Sequence, residues 1–293
     1  MRVAFWGTGL MGRPMAHRLL QKKHEVFVYN RTRSKAEWLA DKGAKIADKP
    51  GETLEGAEAV VMMLADAAAI RAVLAQVPRE RIAGRTFVQM GTILPEESKE
   101  FQKEIEACGG QYLEAPVLGS VPEAQAGRLF VFVSGELERF HALRSLLEAF
   151  GEQIYYLGPV GKASTLKLAL NQLIASHMIG FSLSLGLLER AEVDVDLFLN
   201  VLRQSALYAP MFEKKLPRLR DRNWANPNFP TKWMLKDVRL VLREAERRGL
   251  QAEHLEAFAR LFERALELGH GNHDYSSVYE AISGEGKNRG GVR

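Results

Sequence analysis

The first half of the chain alternates between two spacings of apolar residues. Short apolar runs occupy 2–6 (Arg-Val-Ala-Phe-Trp), 25–29 (Glu-Val-Phe-Val-Tyr), 59–64 and 86–89. Between them, segments near 11–21, 34–42, 67–76 and 95–107 carry the wider spacing of helices. Short β-rich runs separated by helices predict a parallel sheet. The near-continuous apolar character of the runs fits a sheet covered on both faces. Two further strands are expected near 111–114 and 129–133, with a helix over about 136–149.

The pattern changes after Gly158-Pro159-Val160-Gly161. From Lys162 onward no strand pattern recurs. Residues 162–191 read as one long helix, apolar nearly all round, and such a helix is expected to be buried. Lys167, Asn171, Gln172 and His177 interrupt it, which argues for burial in protein over a membrane span. His177 itself reads as a satisfied interior histidine. Further helices are expected over 194–204, 209–216, 232–248, 253–269 and 275–283, with Asp194 and Ser276 as caps. Pro217, Pro227 and Pro230 mark 217–231 as a loop, and the Gly- and base-rich tail 284–293 is expected to fray.

Composition narrows the picture. A chain of 293 residues suits two domains of roughly 100–200 residues each. Its 46% hydrophobic and 26% charged residues are ordinary for a folded globular protein. The net charge is only +4, and the basic runs at 218–222, 247–248 and 287–293 are scattered, so no nucleic-acid partner is expected. A single cysteine, Cys108, excludes an intramolecular disulfide and suits a reducing compartment. No leader-like stretch precedes the first strand, so a cytoplasmic location is expected. No residues have metal-ligand spacing.

The first chemical motif is Gly7-Thr8-Gly9-Leu10-Met11-Gly12, between a strand and a helix. The first glycine allows a tight turn, the second lets a pyrophosphate approach the backbone, and the third lets the helix pack on the strand. Free N–H groups at the helix start then meet phosphate oxygens. The motif predicts a dinucleotide site, and the fold class becomes an α/β Rossmann domain with a mostly parallel sheet over 1–160. An all-α domain over 161–293 follows it. The second strand ends in Asn30-Arg31-Thr32, without the carboxylate that would accept from the ribose 2′-hydroxyl of NAD. Arg31 would instead pair with a 2′-phosphate, with Asn30 or Thr32 donating and Arg33 and Lys35 adding positive charge. NADP is therefore expected over NAD.

Lys167 and Asn171, four apart, share one face of the long helix. A lysine in so apolar a helix is costly unless paired or neutral, and desolvation would make it a proton acceptor near neutral pH. The alternative is a lysine near the helix start whose head reaches water. Glu114-Ala115-Pro116-Val117-Leu118-Gly119-Ser120 ends a strand in a loop whose N–H groups could meet an anion. Lys236-Asp237 lies in a helix and could equally be an ordinary exposed pair.

These motifs, in this order, resemble the β-hydroxyacid dehydrogenase family, which includes 3-hydroxyisobutyrate dehydrogenase and the glyoxylate and succinic semialdehyde reductases. The likeness runs from Val3 to about Ser283. It is carried by Gly7–Gly12 with Pro14-Met15-Ala16, and by Glu114–Gly119 with Ala126-Gly127-Arg128-Leu129. Gly158–Gly161 with Lys167 and Asn171, and Lys236-Asp237, complete it. The resemblance implies that Lys167 is the catalytic lysine and that Asn171 helps hold the substrate. It implies that Leu118, Gly119 and Ser120 bind the substrate carboxylate, and that Thr92 lies near the nicotinamide. Leu64 and Ala65 would border the cofactor, and Lys236 would close over cofactor and substrate, in a cleft between the domains. The implied reaction is hydride transfer between NADP and a small hydroxy acid or aldehyde acid, with a homodimer or homotetramer as the assembly. Leu118 and Ser120 depart from the family's usual Ser and Gly, and Gln172 from its second Asn. Rival readings are a non-catalytic dinucleotide-binding or chromatin-associated module, an imine reductase and a 6-phosphogluconate dehydrogenase. Lys167 argues against the first two, and the chain length against the third.

Overall fold

The computed structural model describes residues 1–284, and the expected fraying of the tail falls on 285–293, outside the described residues. The chain divides into two compact units, Met1–Leu168 and Ala169–Arg293.

The first unit is built on a nine-stranded sheet in the order β3-β2-β1-β4-β5-β6-β8-β7, with β9 beside β8. The strands are β1 Arg2–Trp6, β2 Glu25–Tyr29, β3 Lys45–Ala47, β4 Ala59–Met62, β5 Thr86–Gln89, β6 Gln111–Glu114, β7 Val117–Leu118, β8 Phe130–Gly135 and β9 Gln153–Tyr156. Strands β1 to β6 run parallel, whereas β8 is antiparallel to β6 and β7. The helices between them are α1 Gly12–Gln21, α2 Ser34–Ala40, α3 Ala67–Leu74, α4 Pro95–Glu106, α5 Val121–Ala126 and α6 Leu137–Leu147.

Alternate residues of each central strand enter opposite cores. Val3, Phe5, Val28, Val61 and Val88 pack with Met15 and Leu19 of α1. Ala4, Trp6, Val60, Met62 and Phe87 pack with Ile70 of α3 and Phe101 of α4. Both faces are therefore apolar, which is why these strands read as unbroken runs. Strands β3, β7 and β9 escaped the pattern because they are short or lie at an edge. In β9, Tyr155 and Tyr156 remain exposed.

Helix α7 spans Lys162–Arg190, followed by α8 Val195–Arg203, α9 Pro210–Arg220, α10 Thr231–Arg247, α11 Glu253–Ala265 and α12 Val278–Ser283. The core of the second unit gathers Met178, Phe181, Phe212, Leu216, Met234, Val238, Phe262 and Tyr279. A polar knot lies inside it. Lys215 donates to Asp274 at 2.6 Å, Ser276 donates its hydroxyl to the same oxygen, and Thr231 bonds the Ser277 hydroxyl.

Several expectations need correction. Helix α7 is long and apolar enough to cross a membrane, but less than half of its most apolar window is buried. Leu173, Leu183 and Leu187 are exposed, so only one face enters the core. His177 is exposed too, with its ring edge against Phe212, and is not an interior histidine. Pro217 does not begin a loop. It lies inside α9, which continues because Leu216 and Leu219 are buried, and the loop begins at Asp221. Asp194 caps α8 as expected, but the cap near 276 is Asp274, which accepts from the Ser276 N–H. Helix α11 stops at Ala265, and a wider turn over Leu266–His270 follows, broken by Gly269, whose φ is +87°.

Candidate active site

The parallel strands bring three sequence-predicted segments to one edge of the sheet. Gly7 donates its N–H to the Tyr29 carbonyl at 2.9 Å, at the end of β2. Its φ is +99°, and a Cβ there would stand 2.4 Å from the Met63 carbonyl oxygen and 2.9 Å from the Leu64 side chain. A Cβ on Gly91 would stand 2.5 Å from the Leu64 carbonyl oxygen. The ends of β1, β4 and β5 therefore crowd together, and Gly7, Leu64 with Ala65, and Thr92 lie on neighbouring turns.

The three motif glycines serve different ends. A Cβ on Gly12 would stand 1.9 Å from the Gly7 carbonyl oxygen, so α1 packs on its own turn. Gly9 is the contrast, because a Cβ there would meet nothing within 4 Å. No contact among the described residues demands a glycine at position 9, whereas a bulky anion against the backbone would. Thr8 is 3% exposed, and its hydroxyl oxygen is buried without a partner. No side chain caps α1, whose N-cap position is Met11. Arg13 gives its N–H to the Gly9 carbonyl at 3.1 Å and Pro14 has none, so it is the N–H groups of the turn itself, Gly9 to Gly12, that remain for a ligand. Leu10 is exposed. The turn thus fits a dinucleotide pyrophosphate.

Asn30 braces this turn. Its Oδ1 accepts from the Thr8 N–H at 2.9 Å, and its Nδ2 donates to the Thr32 carbonyl at 2.8 Å. Arg31 is exposed and makes no hydrogen bond or ion pair among the described residues. Arg33, expected to add positive charge, is paired with Asp48 and contributes little. Arg31, and not Arg33, therefore brings unpaired positive charge to the residues beside the turn. Thr32 is exposed beside it.

At the loop after β6, Leu118 pairs with Phe130 in the β7–β8 ladder, and Gly119 has φ +134°. The Glu123 carboxylate takes both the N–H of Ser120, at 2.9 Å, and its hydroxyl, at 2.7 Å. An external carboxylate that used those two donors would have to displace Glu123.

Lys167 is buried, with 7% exposure, in the second turn of α7. Asn171 follows one turn later at 3% exposure. In the helical unit, Asn171 Nδ2 donates to Asp237 Oδ2 at 2.6 Å. That bond uses the Asn171 amide nitrogen and leaves its carbonyl oxygen as an acceptor. Lys236 Nζ lies 3.0 Å from Asp237 Oδ1, so one carboxylate serves both residues. Asp237 is 2% exposed, and the pair is not the ordinary surface pair that its sequence allowed. The orienting role of Asp237 had no sequence signal beyond its place beside Lys236. Glu114 also escaped a role, although it is fully buried and heavily hydrogen-bonded. Among the described residues, no group of three or more His, Cys, Asp or Glu side chains could hold a metal ion.

Comparison with known proteins bears on the family. Residues 2–158 match the model of the NAD-binding domain of 6-phosphogluconate dehydrogenase. Residues 161–282 match the NAD-binding model of NADP-dependent 3-hydroxyisobutyrate dehydrogenase. The chain is 32% identical over 285 residues to glyoxylate/succinic semialdehyde reductase 1 of Arabidopsis thaliana, covering 96% of this chain and 98% of that protein. It is 26% identical over 279 residues to the cytokine-like nuclear factor N-PAC of Drosophila melanogaster, covering 94% of this chain but 46% of that longer protein. Its fold superposes on a 3-hydroxyisobutyrate dehydrogenase from Salmonella typhimurium with a TM-score of 0.85 at 24% identity, covering 95% of this chain and 98% of that one. The glycine turn, the strand-end cluster and the matched length lead to one conclusion: the chain belongs to the β-hydroxyacid dehydrogenase family, as an oxidoreductase with an NAD(P)-binding Rossmann unit followed by a helical unit.

Proposed function

We propose that the chain transfers hydride reversibly between NADP and a short β-hydroxy acid of the 3-hydroxyisobutyrate type. The observation that carries this reading is the burial of Lys167 at 7% exposure, in a chain whose Gly9 leaves its backbone open to a dinucleotide. When bound, the nicotinamide supplies or accepts the hydride. Lys167 gives its proton to the carbonyl oxygen during reduction and takes the hydroxyl proton during oxidation. Asn171, fixed by Asp237, offers its carbonyl oxygen to orient the reacting hydroxyl. Leu118, Gly119 and Ser120 hold the substrate carboxylate, which displaces Glu123 from the Ser120 donors, with Lys236 closing over substrate and cofactor. Thr92 lies near the nicotinamide, and Leu64 and Ala65 border the cofactor. Arg31, with Thr32, receives the 2′-phosphate and sets the preference for NADP over NAD.

A second reading, reduction of glyoxylate or succinic semialdehyde, is supported by the 32% identity to the plant reductase. It uses the same residues and differs only in the acid held. The exposed Leu173, Leu183 and Leu187 of α7 support a homodimer or homotetramer, testable by light scattering.

A panel of short hydroxy and aldehyde acids, assayed with NADP(H) and NAD(H) by nicotinamide absorbance, tests the reading. Turnover of a 3-hydroxy acid supports the first form and turnover of glyoxylate or succinic semialdehyde the second. No turnover of any member, with NADPH still bound, returns the chain to a non-catalytic module. Lys167→Ala is expected to lose roughly 10²–10⁴-fold in kcat while still binding NADPH. Near-normal turnover by that variant removes Lys167 from the chemistry.

A further inference from the structure

Glu114 is the last residue of β6 and has no exposed surface. Its carboxylate accepts five hydrogen bonds. Oε1 takes the backbone N–H groups of Gly161 at 2.7 Å, Ala163 at 2.9 Å and Ser164 at 3.3 Å. Oε2 takes the hydroxyls of Ser98 and Ser164, each at 2.6 Å. The Ala163 N–H also reaches the Ser134 hydroxyl at 3.1 Å, and the Ser98 hydroxyl lies 2.9 Å from the Tyr112 hydroxyl.

The amide donors belong to the first turn of α7 and the residue before it, where N–H groups have no partner within the helix. A carboxylate there is favoured by the helix dipole as well. The covalent connections give the bond set its reach. Four residues after Glu114, the chain enters the loop at Leu118. Three residues after Ser164, α7 presents Lys167. Ser98 lies on α4, the helix that follows Thr92. One carboxylate therefore ties together the elements that carry three parts of the proposed site. A buried apolar side chain would leave these five donors unmet. It could not fix the height and rotation of a helix.

We propose that Glu114 is a positioning residue for the reaction: its five-donor clamp sets α7 against the end of β6 and so holds Lys167 in register with the loop at 118–120. Glu114 touches neither substrate nor cofactor and exchanges no proton. The inference rests on the assignment of Lys167 as acid and base, and it deepens that assignment. A shift of about 1 Å at such a group costs on the order of 100-fold in rate.

The test compares Glu114→Ala, Glu114→Gln and Lys167→Ala in the full chain, with the substrate of the panel that turns over fastest. Glutamine keeps a carbonyl oxygen for the three amides, and its NH2 meets two hydroxyls that can turn to accept. It preserves the clamp without the charge. Rates are taken well below each variant's melting temperature and normalised to the NADPH-binding fraction, which removes any effect of stability alone. Glu114→Ala is expected to lose on the order of 100-fold in kcat with NADPH affinity unchanged, and Glu114→Gln to recover most of that loss. Unchanged kcat in Glu114→Ala, with Lys167→Ala inactive, overturns the positioning role and leaves the Lys167 assignment standing. Active Lys167→Ala overturns the assignment itself. A folded Glu114→Gln as slow as Glu114→Ala overturns the clamp as the cause. If Glu114→Ala does not fold, Ser164→Ala decides. A several-fold fall in kcat with NADPH affinity kept supports the clamp, and an unchanged kcat overturns it.

Discussion

The two units treat buried polarity differently. In the sheet unit, Thr8 and Gln89 are buried at or just beyond the ends of β1 and β5, and their side-chain polar atoms have no partner. In the helical unit, the buried cation Lys215 closes on Asp274, and the nearby Ser276, Thr231 and Ser277 close on the same knot or on each other. Unmet polar atoms in a folded core call for a reason. At Thr8, within the glycine turn, the reason that fits is a ligand that completes it. The helical knot holds its buried cation without one, although Asp274 Oδ2 accepts no hydrogen bond and has only the Arg218 guanidinium at 4.0 Å. Changes at the strand edge should therefore move ligand binding, and changes in the knot should move stability.

The largest effect is expected where the knot is cut. Asp274→Ala strands Lys215, which burial already pulls below its usual range and Asp274 supports. The loss should be about 3–5 kcal/mol in urea unfolding, with the NADPH affinity of the folded protein unchanged. A loss under about 1 kcal/mol would make the knot ornamental and dissolve the contrast. Next comes Gly9→Val, at a position where a Cβ meets nothing within 4 Å. Calorimetric titration should show NADPH binding weakened by about 100-fold or more, near 2.7 kcal/mol, with an unaltered thermal melt. A lowered melting temperature with intact binding would reverse the reading of that turn. Arg31→Ala should cost about 1.5–3 kcal/mol of NADPH affinity and leave NADH untouched. An equal loss for both cofactors would remove Arg31 from the 2′-phosphate.

The smallest expected effect is a pH dependence in the helical unit. The Arg247 guanidinium, helped by Arg248 and opposed by burial, holds the Glu244 carboxyl below its usual value of 4.5. A depressed folded-state value means that the carboxylate stabilises the fold in full above its unfolded-state value. The contribution is lost as pH falls through the lower folded-state value. Glu244→Gln should cost about 1 kcal/mol at neutral pH, after allowance for solvent screening, and should flatten the acid side of a melting-temperature profile. An acid limb of unchanged steepness would assign that sensitivity to other carboxylates.

The same contrast explains what the sequence disclosed. The central strands were legible because both of their faces are apolar, so Val3, Phe5, Val28 and Val88 announce themselves without knowledge of their partners. Edge strands β3 and β9 were not, since one side of each meets solvent. The glycine turn was legible because its spacing encodes backbone geometry. Glu114 and Asp237 were opaque, because a carboxylate's burial depends on donors 47–66 residues away in the chain. His177 misled for a related reason. An apolar helix does not say which of its faces is covered. Pro217 misled because side-chain burial on either side held the helix together against its missing N–H.

Asn30 carries one more consequence. It spends its side chain on the Thr8 N–H and the Thr32 carbonyl, so the shape of the turn depends on residue 30. The side chain of residue 31 holds nothing in place. On the proposed reading, scaffold and cofactor choice occupy adjacent positions with separate duties. The second can drift, or be rewritten by design, while the first stays fixed. An acidic side chain at position 31 would be the shortest mutational path from a phosphorylated to an unphosphorylated nicotinamide dinucleotide.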